Sequence, residues 1–395
     1  MNPHCFIKPH SNQSGFASIP NQVRELFAQQ AYDTVILFLN DSFGWRFFEK
    51  FQDEPFLCQL ARHGQVQKIT SQFPSTTAAH VTTIHTGLPV GVSGVHEWYY
   101  YEPQVDAVIA PLLFSFAGAK DRDTLKQAGV KPEALYPQGV FYPALKGMGV
   151  KPYVFGIRDY TPSTYASVVM QGAEQKSFKT LSEALINLGI LLERSKKPVY
   201  AHLYFDKIDA LCHEYGPTAP QTEAEIETFL LMMEHYFDRI FMGNKRILFL
   251  MTADHGASEV DPETTVYLNI HPQFAGFDRF IRANRNGQLL VPAGSARDLF
   301  LYIKEDSLDE AQAFLSKRLE GKADVVKTEF LISEGYFGPE ISSRFRERVG
   351  NLVVLPYRYE SVWWYEKDRF EQGFYGHHGG LTPQEMEIPL FTSVV

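Results

Sequence analysis

Three uninterrupted apolar runs stand out along the chain, and each leads into an aspartate. "TVILFLND" (34–41), "PVYAHLYFD" (198–206) and "RILFLMTADHG" (246–256) lack the apolar–polar alternation of a half-exposed strand. Runs of this length, rich in Val, Ile, Leu and Phe, fit strands covered on both faces. Between the second and third, "EAEIETFLLMMEHYFDRIF" repeats Ile226, Phe229, Leu230, Met233, Phe237, Ile240 and Phe241 at three- and four-residue spacing. That spacing predicts a helix with one buried stripe. "LSEALINLGILLERS" (181–195) predicts another. Strands alternating with helices of this length predict an α/β fold with a mostly parallel central sheet flanked by helices.

The pattern also divides the chain. Residues 1–25 are polar, with Pro, Ser and Asn, and predict a loose leader. Residues 26–275 carry the first part of the core. Over 276–348 the character changes: "ARDLFLYI" and "ADVVKTEFLI" read as strands around a helical "LDEAQAFLSKRL", a small α+β insertion. Residues 349–395, opening with "NLVVLPYRYESVWWY", read as a return to the core.

Composition narrows the function classes. The chain has 395 residues, 45% of them hydrophobic, enough for a sizeable core. A net charge of -9 without a basic run argues against a nucleic acid polymer as partner. Cys5, Cys58 and Cys212 show no paired spacing and predict no disulfide. No apolar run reaches about 18 residues, so no membrane span is predicted. The N-terminus lacks the apolar stretch of a secretory signal, and the expectation is a cytoplasmic protein.

Ligands of open parallel sheets sit beyond the carboxyl ends of the strands. Asp41, Asp209 and Asp254 all fall there. "DALCHEYGP" sets Asp209 and His213 four apart, on one face of a helical turn. "ADHG" sets Asp254 beside His255, and a shared ion there needs an irregular turn, which Gly256 permits. "YGHHGGLTPQEMEIP" adds His377 and His378 in a glycine-rich loop. Carboxylate with imidazole suits zinc and is acceptable to manganese. Each motif alone reads as a solvated helix face or an ordinary turn; their recurrence after strands argues for one site. "FPSTTAAHVTTIHTG" (73–87) adds a cluster of hydroxyls, inert at neutral pH unless something withdraws a proton. Ser75 and Thr76 also read as N-caps of a following helix.

In this order, a strand-end Asp, "PSTT" with "TG" beyond, "DALCHEYGP", "ADHG" and a late "HGG" resemble the alkaline phosphatase superfamily, and within it the type I phosphodiesterase / nucleotide pyrophosphatase family. The resemblance spans about residues 30–275 and 350–395. It implies the alkaline-phosphatase-like core, two divalent ions (Zn2+, with Mn2+ possible) and Thr77 as the nucleophile, since the family's Thr-Gly pair begins nine residues later and Thr86 stands there. It implies one ion on Asp41, Asp254, His255 and the Thr77 oxygen, and the other on Asp209, His213 and His378, with His377 as the alternative. The chemistry implied is hydrolysis of a small-molecule phosphodiester or pyrophosphate through a phosphothreonine. A phosphonate hydrolase, a phosphomonoesterase or an inactive metal-binding protein are the rival readings. For substrate binding, Tyr204 matches a family position that stacks the base, Ala78 stands where a second aromatic is usual, and Trp98 replaces an asparagine near the oxyanion. "VHEWYYYEP" (95–103) reads as an aromatic pocket wall or as a packed surface strand.

Overall fold

Every residue of the first apolar run is buried, as is every residue of the third after Arg246, and the computed structural model pairs them side by side. It describes residues 6–12, 14–241 and 246–395. The central sheet has seven strands: β1 (Thr34–Asn40), β2 (Gly64–Thr70), β3 (Lys151–Ile157), β4 (Glu174–Phe178), β5 (Val199–Phe205), β6 (Ile247–Thr252) and β7 (Glu387–Val394). Their order is β2-β7-β6-β1-β5-β3-β4. β1 runs parallel to β5 and β6, and β3 runs parallel to β4 and β5. β7 runs against both of its neighbours. The three apolar runs are therefore adjacent central strands, β6-β1-β5, and their carboxyl ends open at one edge of the sheet.

The expected helices cover this sheet. Leu181–Arg194 and Pro220–Phe241 pack on each other and on the strands. The stripe of Ile226, Phe229, Leu230, Met233, Phe237 and Phe241 is buried as its spacing predicts. Each such side chain stabilises the fold by roughly 1.5–3 kcal/mol.

Two boundaries differ from the sequence reading. Residues 1–5 of the expected leader lie outside the described residues. The rest is not loose: Ile19–Ala28 is a helix, and Phe16, Ile19 and Val23 are fully buried. Apolar residues spaced for a helix sit among its polar ones, and composition alone hid them. "NLVVLPYR" does not return to the central sheet. Leu352–Pro356 is instead the middle strand of a small antiparallel sheet, between Leu299–Leu301 and Ala323–Lys327. Helix Leu308–Arg318 packs on it, over a separate core that includes Leu299, Leu315, Val354 and Trp363. The last strand of the large sheet is β7, some thirty residues later. "ADVVKTEFLI" also splits, with the strand ending at Lys327 and a helix beginning at Thr328.

Candidate metal centre and its two cavities

The loops after β1 and β6 and the turn before β7 converge because glycines let them touch. A Cβ on Gly44 would stand 2.7 Å from the Gly256 Cα, and one on Gly256 would stand 2.2 Å from the Gln384 carbonyl. Gly256 thus serves close approach rather than the unusual backbone angle expected from the sequence. Ser42 takes that angle instead, at φ 64°, and its N–H donates to Asp254 Oδ1 at 3.2 Å. Asp41, Asp254 and His255 are all buried there.

Thr77 begins the helix Thr77–Thr86, whose N-terminus carries no side-chain cap. Its unpaired N–H groups and the helix dipole favour an anion at that end. Neither Ser75 nor Thr76 caps the helix. The Ser75 hydroxyl donates to the Gly380 carbonyl at 2.7 Å and accepts from the Gly379 N–H at 3.1 Å. It ties the late glycine loop, and with it His378, to the segment before Thr77.

The side chains proposed as ligands come together. His255 Nε2 is 3.2 Å from Thr77 Oγ1, 3.5 Å from Asp41 Oδ1 and 3.4 Å from Asp254 Oδ2. His213 Nε2 is 3.3 Å from Asp209 Oδ2, and His378 Nε2 is 3.7 Å from Asp209 Oδ1. Donor atoms of Asp41, Asp254 and His255 lie within 4.8 Å of one another, as do those of Asp209, His255 and His378. His255 therefore stands between the two groups, its ring stacked on His378 at 3.7 Å. His377 is turned into its own loop, with Nδ1 on the His378 backbone.

The proton positions of the three imidazoles follow from their partners. Each Nδ1 faces a backbone carbonyl, which only accepts: Gly376 for His213 at 2.8 Å, Gly256 for His255 at 3.0 Å and Ser75 for His378 at 3.0 Å. In the neutral ring Nδ1 then carries the proton and Nε2 a lone pair. Three lone pairs thus point at carboxylates, and one oxygen each of Asp41, Asp209 and Asp254 lacks a hydrogen-bond partner. Without a cation this assembly is repulsive. Burial, then Asp254 and Asp209, push Asp41 well above the usual carboxylate range; burial, then Asp209, push Asp254 up to about 7. Burial holds His255 well below the usual imidazole range and His378 down at about 4. For Asp209 and His213, burial opposes their mutual attraction and the attraction wins, holding Asp209 low and His213 high. A proton on His213 does there what a metal ion would do. The residues present fit two divalent cations, and imidazoles fixed through Nδ1 are how metal sites orient that ligand.

Two cavities flank the centre. The first, about 290 Å³, adjoins Thr77, Asp41 and Asp209 and runs past Tyr204 to Leu112, Phe155 and Tyr165. The second, about 430 Å³, adjoins Thr77, Asp209, His213 and His378. Trp98 lies between them and lines both. Tyr204 lines the first cavity, but its hydroxyl is engaged, donating to Asp41 Oδ2. In "VHEWYYYEP", Tyr100–Glu102 is a strand, while Glu97, Trp98 and Tyr99 line the second cavity. Glu97, raised to about 8 by burial, was not singled out in the sequence, and neither was Ser42; Ser75 was read only as a helix cap.

Among curated protein sequences none matches this chain significantly. Solved structures do. Murine ectonucleotide pyrophosphatase / phosphodiesterase 5 superimposes with a TM-score of 0.65 at 15% identity, over 91% of this chain and 87% of that one. An inactive Thr-to-Ala form of the murine protein in complex with AMP gives 0.66 at 16% identity over the same shares. Phosphonoacetate hydrolase from Sinorhizobium meliloti, in complex with phosphonoacetate, gives 0.61 at 17% identity, over 90% of this chain and 89% of that one. These likenesses confirm the mixed α/β fold with its mostly parallel sheet. Among the described residues no helix is long and apolar enough to cross a membrane. Residues 35–381 match the type I phosphodiesterase / nucleotide pyrophosphatase profile, and the chain belongs to that family of hydrolases.

Proposed function

We propose that the chain hydrolyses phosphodiester or pyrophosphate bonds of small molecules, with Thr77 as nucleophile and a phosphothreonine as intermediate. The observation that carries this reading is the trio of imidazoles, each fixed through Nδ1 and aiming Nε2 at a carboxylate, with one oxygen each of Asp41, Asp209 and Asp254 unpartnered and His255 beside the Thr77 hydroxyl. Divalent ions, zinc by the donor set, held by Asp41, Asp254, His255 and Thr77 and by Asp209, His213 and His378, would acidify that hydroxyl and offset the charge of the phosphoryl group.

The chain's own residues do the rest. His255 Nε2 lies 3.2 Å from the Thr77 hydroxyl, which places the two donor atoms where one ion could be reached by both. The start of the helix Thr77–Thr86 presents N–H groups to the phosphoryl oxygens. The Tyr204 hydroxyl, kept protonated by burial and the charge of Asp41, donates to Asp41 and keeps that carboxylate turned to the site. Trp98 offers a single N–H where relatives have an amide, so one phosphoryl oxygen has fewer donors here. Displacement of the departing oxygen by Thr77 leaves phosphorus esterified to the protein; water then cleaves that ester and restores the hydroxyl.

The fold neighbour that binds phosphonoacetate raises phosphonate hydrolysis as a second reading. Two cavities of about 290 and 430 Å³ around one nucleophile suit a substrate with two organic arms better than so small an acid. The test is turnover of bis(p-nitrophenyl) phosphate, p-nitrophenyl phosphate and phosphonoacetate by purified protein, with and without added zinc or manganese. Metal-dependent preference for the diester supports the proposal. Preference for phosphonoacetate would replace it with the second reading, and metal-independent turnover would refute the site.

A further inference from the structure

The second cavity differs in character from what a polyphosphate needs. Its wall carries Trp98, Tyr99, Trp363, Phe370 and Phe374, and among the described residues its only arginine or lysine is Arg369. That guanidinium is already committed: it pairs with Glu366 at 2.5 Å, donates to the Ala117 carbonyl at 2.9 Å and lies over the Phe370 ring at 5.0 Å. The other acidic lining groups beyond the ligand set are Glu371 and Glu97, the latter raised to about 8 by burial. Trp98 and Phe374 are 37% and 44% exposed, large apolar surfaces left open to solvent at the rim. Exposed aromatics of this size around a concave site are the usual signature of ligand contact.

The position of the cavity identifies which arm it takes. Displacement at phosphorus is in line, so the departing oxygen leaves on the side away from the attacking one. Thr77 attacks from beside His255 and Asp41. The departing side is that of Asp209, His213 and His378, and this cavity opens there.

Resting on the function proposed above, we infer that the second cavity is the leaving-group subsite and takes an uncharged aromatic or apolar alcohol, so that the enzyme is a diesterase with little activity on nucleoside triphosphates. A departing pyrophosphate would meet aromatic faces, two acids and one arginine already paired with Glu366, with no unpaired cation among the described lining residues to replace its hydration. In the favoured reaction the Thr77 oxygen bonds to phosphorus, the bond to the departing oxygen breaks, and that oxygen takes a proton to leave as the alcohol. Water then hydrolyses the phosphothreonine, releasing a monoester of the retained arm.

The test compares bis(p-nitrophenyl) phosphate with ATP, using full-length metal-loaded protein. The account expects kcat/KM for the diester to exceed that for ATP by about a hundredfold or more. Phe374→Ala should lower the diester value by about tenfold, and Phe374→Leu, which keeps an apolar side chain against the His213 ring 4.4 Å away, should lower it severalfold while leaving the ATP value within about twofold. Binding gives a separate readout. On Thr77→Ala protein, bis(p-nitrophenyl) phosphate should quench the fluorescence of Trp98 and Trp363, with the Kd raised about tenfold by Phe374→Ala. Preference for ATP, or equal losses on both substrates, would overturn the leaving-group assignment while leaving the Thr77 chemistry standing. Turnover surviving Thr77→Ala would instead overturn the chemistry on which the assignment rests.

Discussion

Two buried charge clusters lie within a few residues of each other and differ in one respect. Arg297 and Glu385, both fully buried, satisfy each other. Arg297 donates Nε and Nη2 to the carboxylate at 3.0 and 2.9 Å, and gives Nη1 to the carbonyls of Tyr357 and Glu360. Glu385 also accepts from the Gly380 N–H at 3.0 Å and the Thr382 hydroxyl at 2.5 Å. That cluster is complete without anything added, and through Gly380 it braces the loop that carries His378. The cluster of Asp41, Asp209 and Asp254 is incomplete, with an orphan oxygen on each. A protein that leaves these buried acids unpaired while satisfying a neighbouring pair so fully has built the acidic cluster for something to bind.

The contrast can be broken from either side. The largest effect on activity should come from Thr77→Ala, which lowers kcat by about 10⁴-fold or more while the melting temperature stays put. Steady-state kinetics and thermal melts on one preparation check both halves. The largest effect on stability should come from Glu385→Ala, which strands a buried guanidinium and costs about 3–5 kcal/mol in denaturant unfolding. Loss of activity at full stability in that variant would mean the pair belongs to the chemistry instead.

The two clusters also predict opposite responses to pH. Arg297, followed by hydrogen bonds from Thr382 and Gly380, outweighs burial and holds Glu385 below its ordinary value. A lowered carboxylate stabilises the fold above the unfolded pKa of about 4.5, and that contribution disappears as pH falls through the lower folded value. Asp254 runs the other way. Raised to about 7, it stabilises the metal-free fold below about pH 4 and loses that contribution as pH rises to about 7. His255 and His378, held low by burial, contribute in the opposite direction, so the Asp254 contribution shows as a difference: on going from pH 5 to pH 7, chelator-treated Asp254→Asn should gain more stability, or lose less, than the unsubstituted chain. Zinc at a hundredfold its Kd should restore about 2.7 kcal/mol at pH 7. Urea unfolding of both proteins with and without chelator at both pH values reads this directly, and an identical pH 5-to-7 change in the two chelated proteins would contradict it. The smallest effect expected is that of Tyr204→Phe, which removes one hydrogen bond to Asp41 and should lower kcat/KM by only about three- to tenfold. A loss as large as that of Thr77→Ala would make Tyr204 part of the chemistry rather than a support.

What could be read from the sequence was what short stretches carry by themselves. The central strands announced themselves by continuous apolar runs, and Asp209 with His213 by helical spacing. Asp41 and Asp254 were legible because a parallel sheet gathers its strand ends. The roles of Ser75, Gly256 and Glu385 were not, because each depends on a partner distant in the chain; Ser75 meets Gly380 across 305 residues. The leader failed for a related reason. Phe16, Ile19 and Val23 form a helical face only once the core is there to receive it. Trp98 and Tyr204 were found at the site, but whether an aromatic faces a substrate or a carboxylate is decided by packing that no local pattern encodes.

The central claim is that Thr77 attacks phosphorus. The direct measurement is mass spectrometry of the peptide covering 73–87 after acid quenching during turnover of bis(p-nitrophenyl) phosphate. The account predicts a p-nitrophenyl phosphoryl adduct on Thr77 that forms only with metal present and is absent from Thr77→Ala. Full turnover with that peptide unmodified and the adduct on another residue would contradict it.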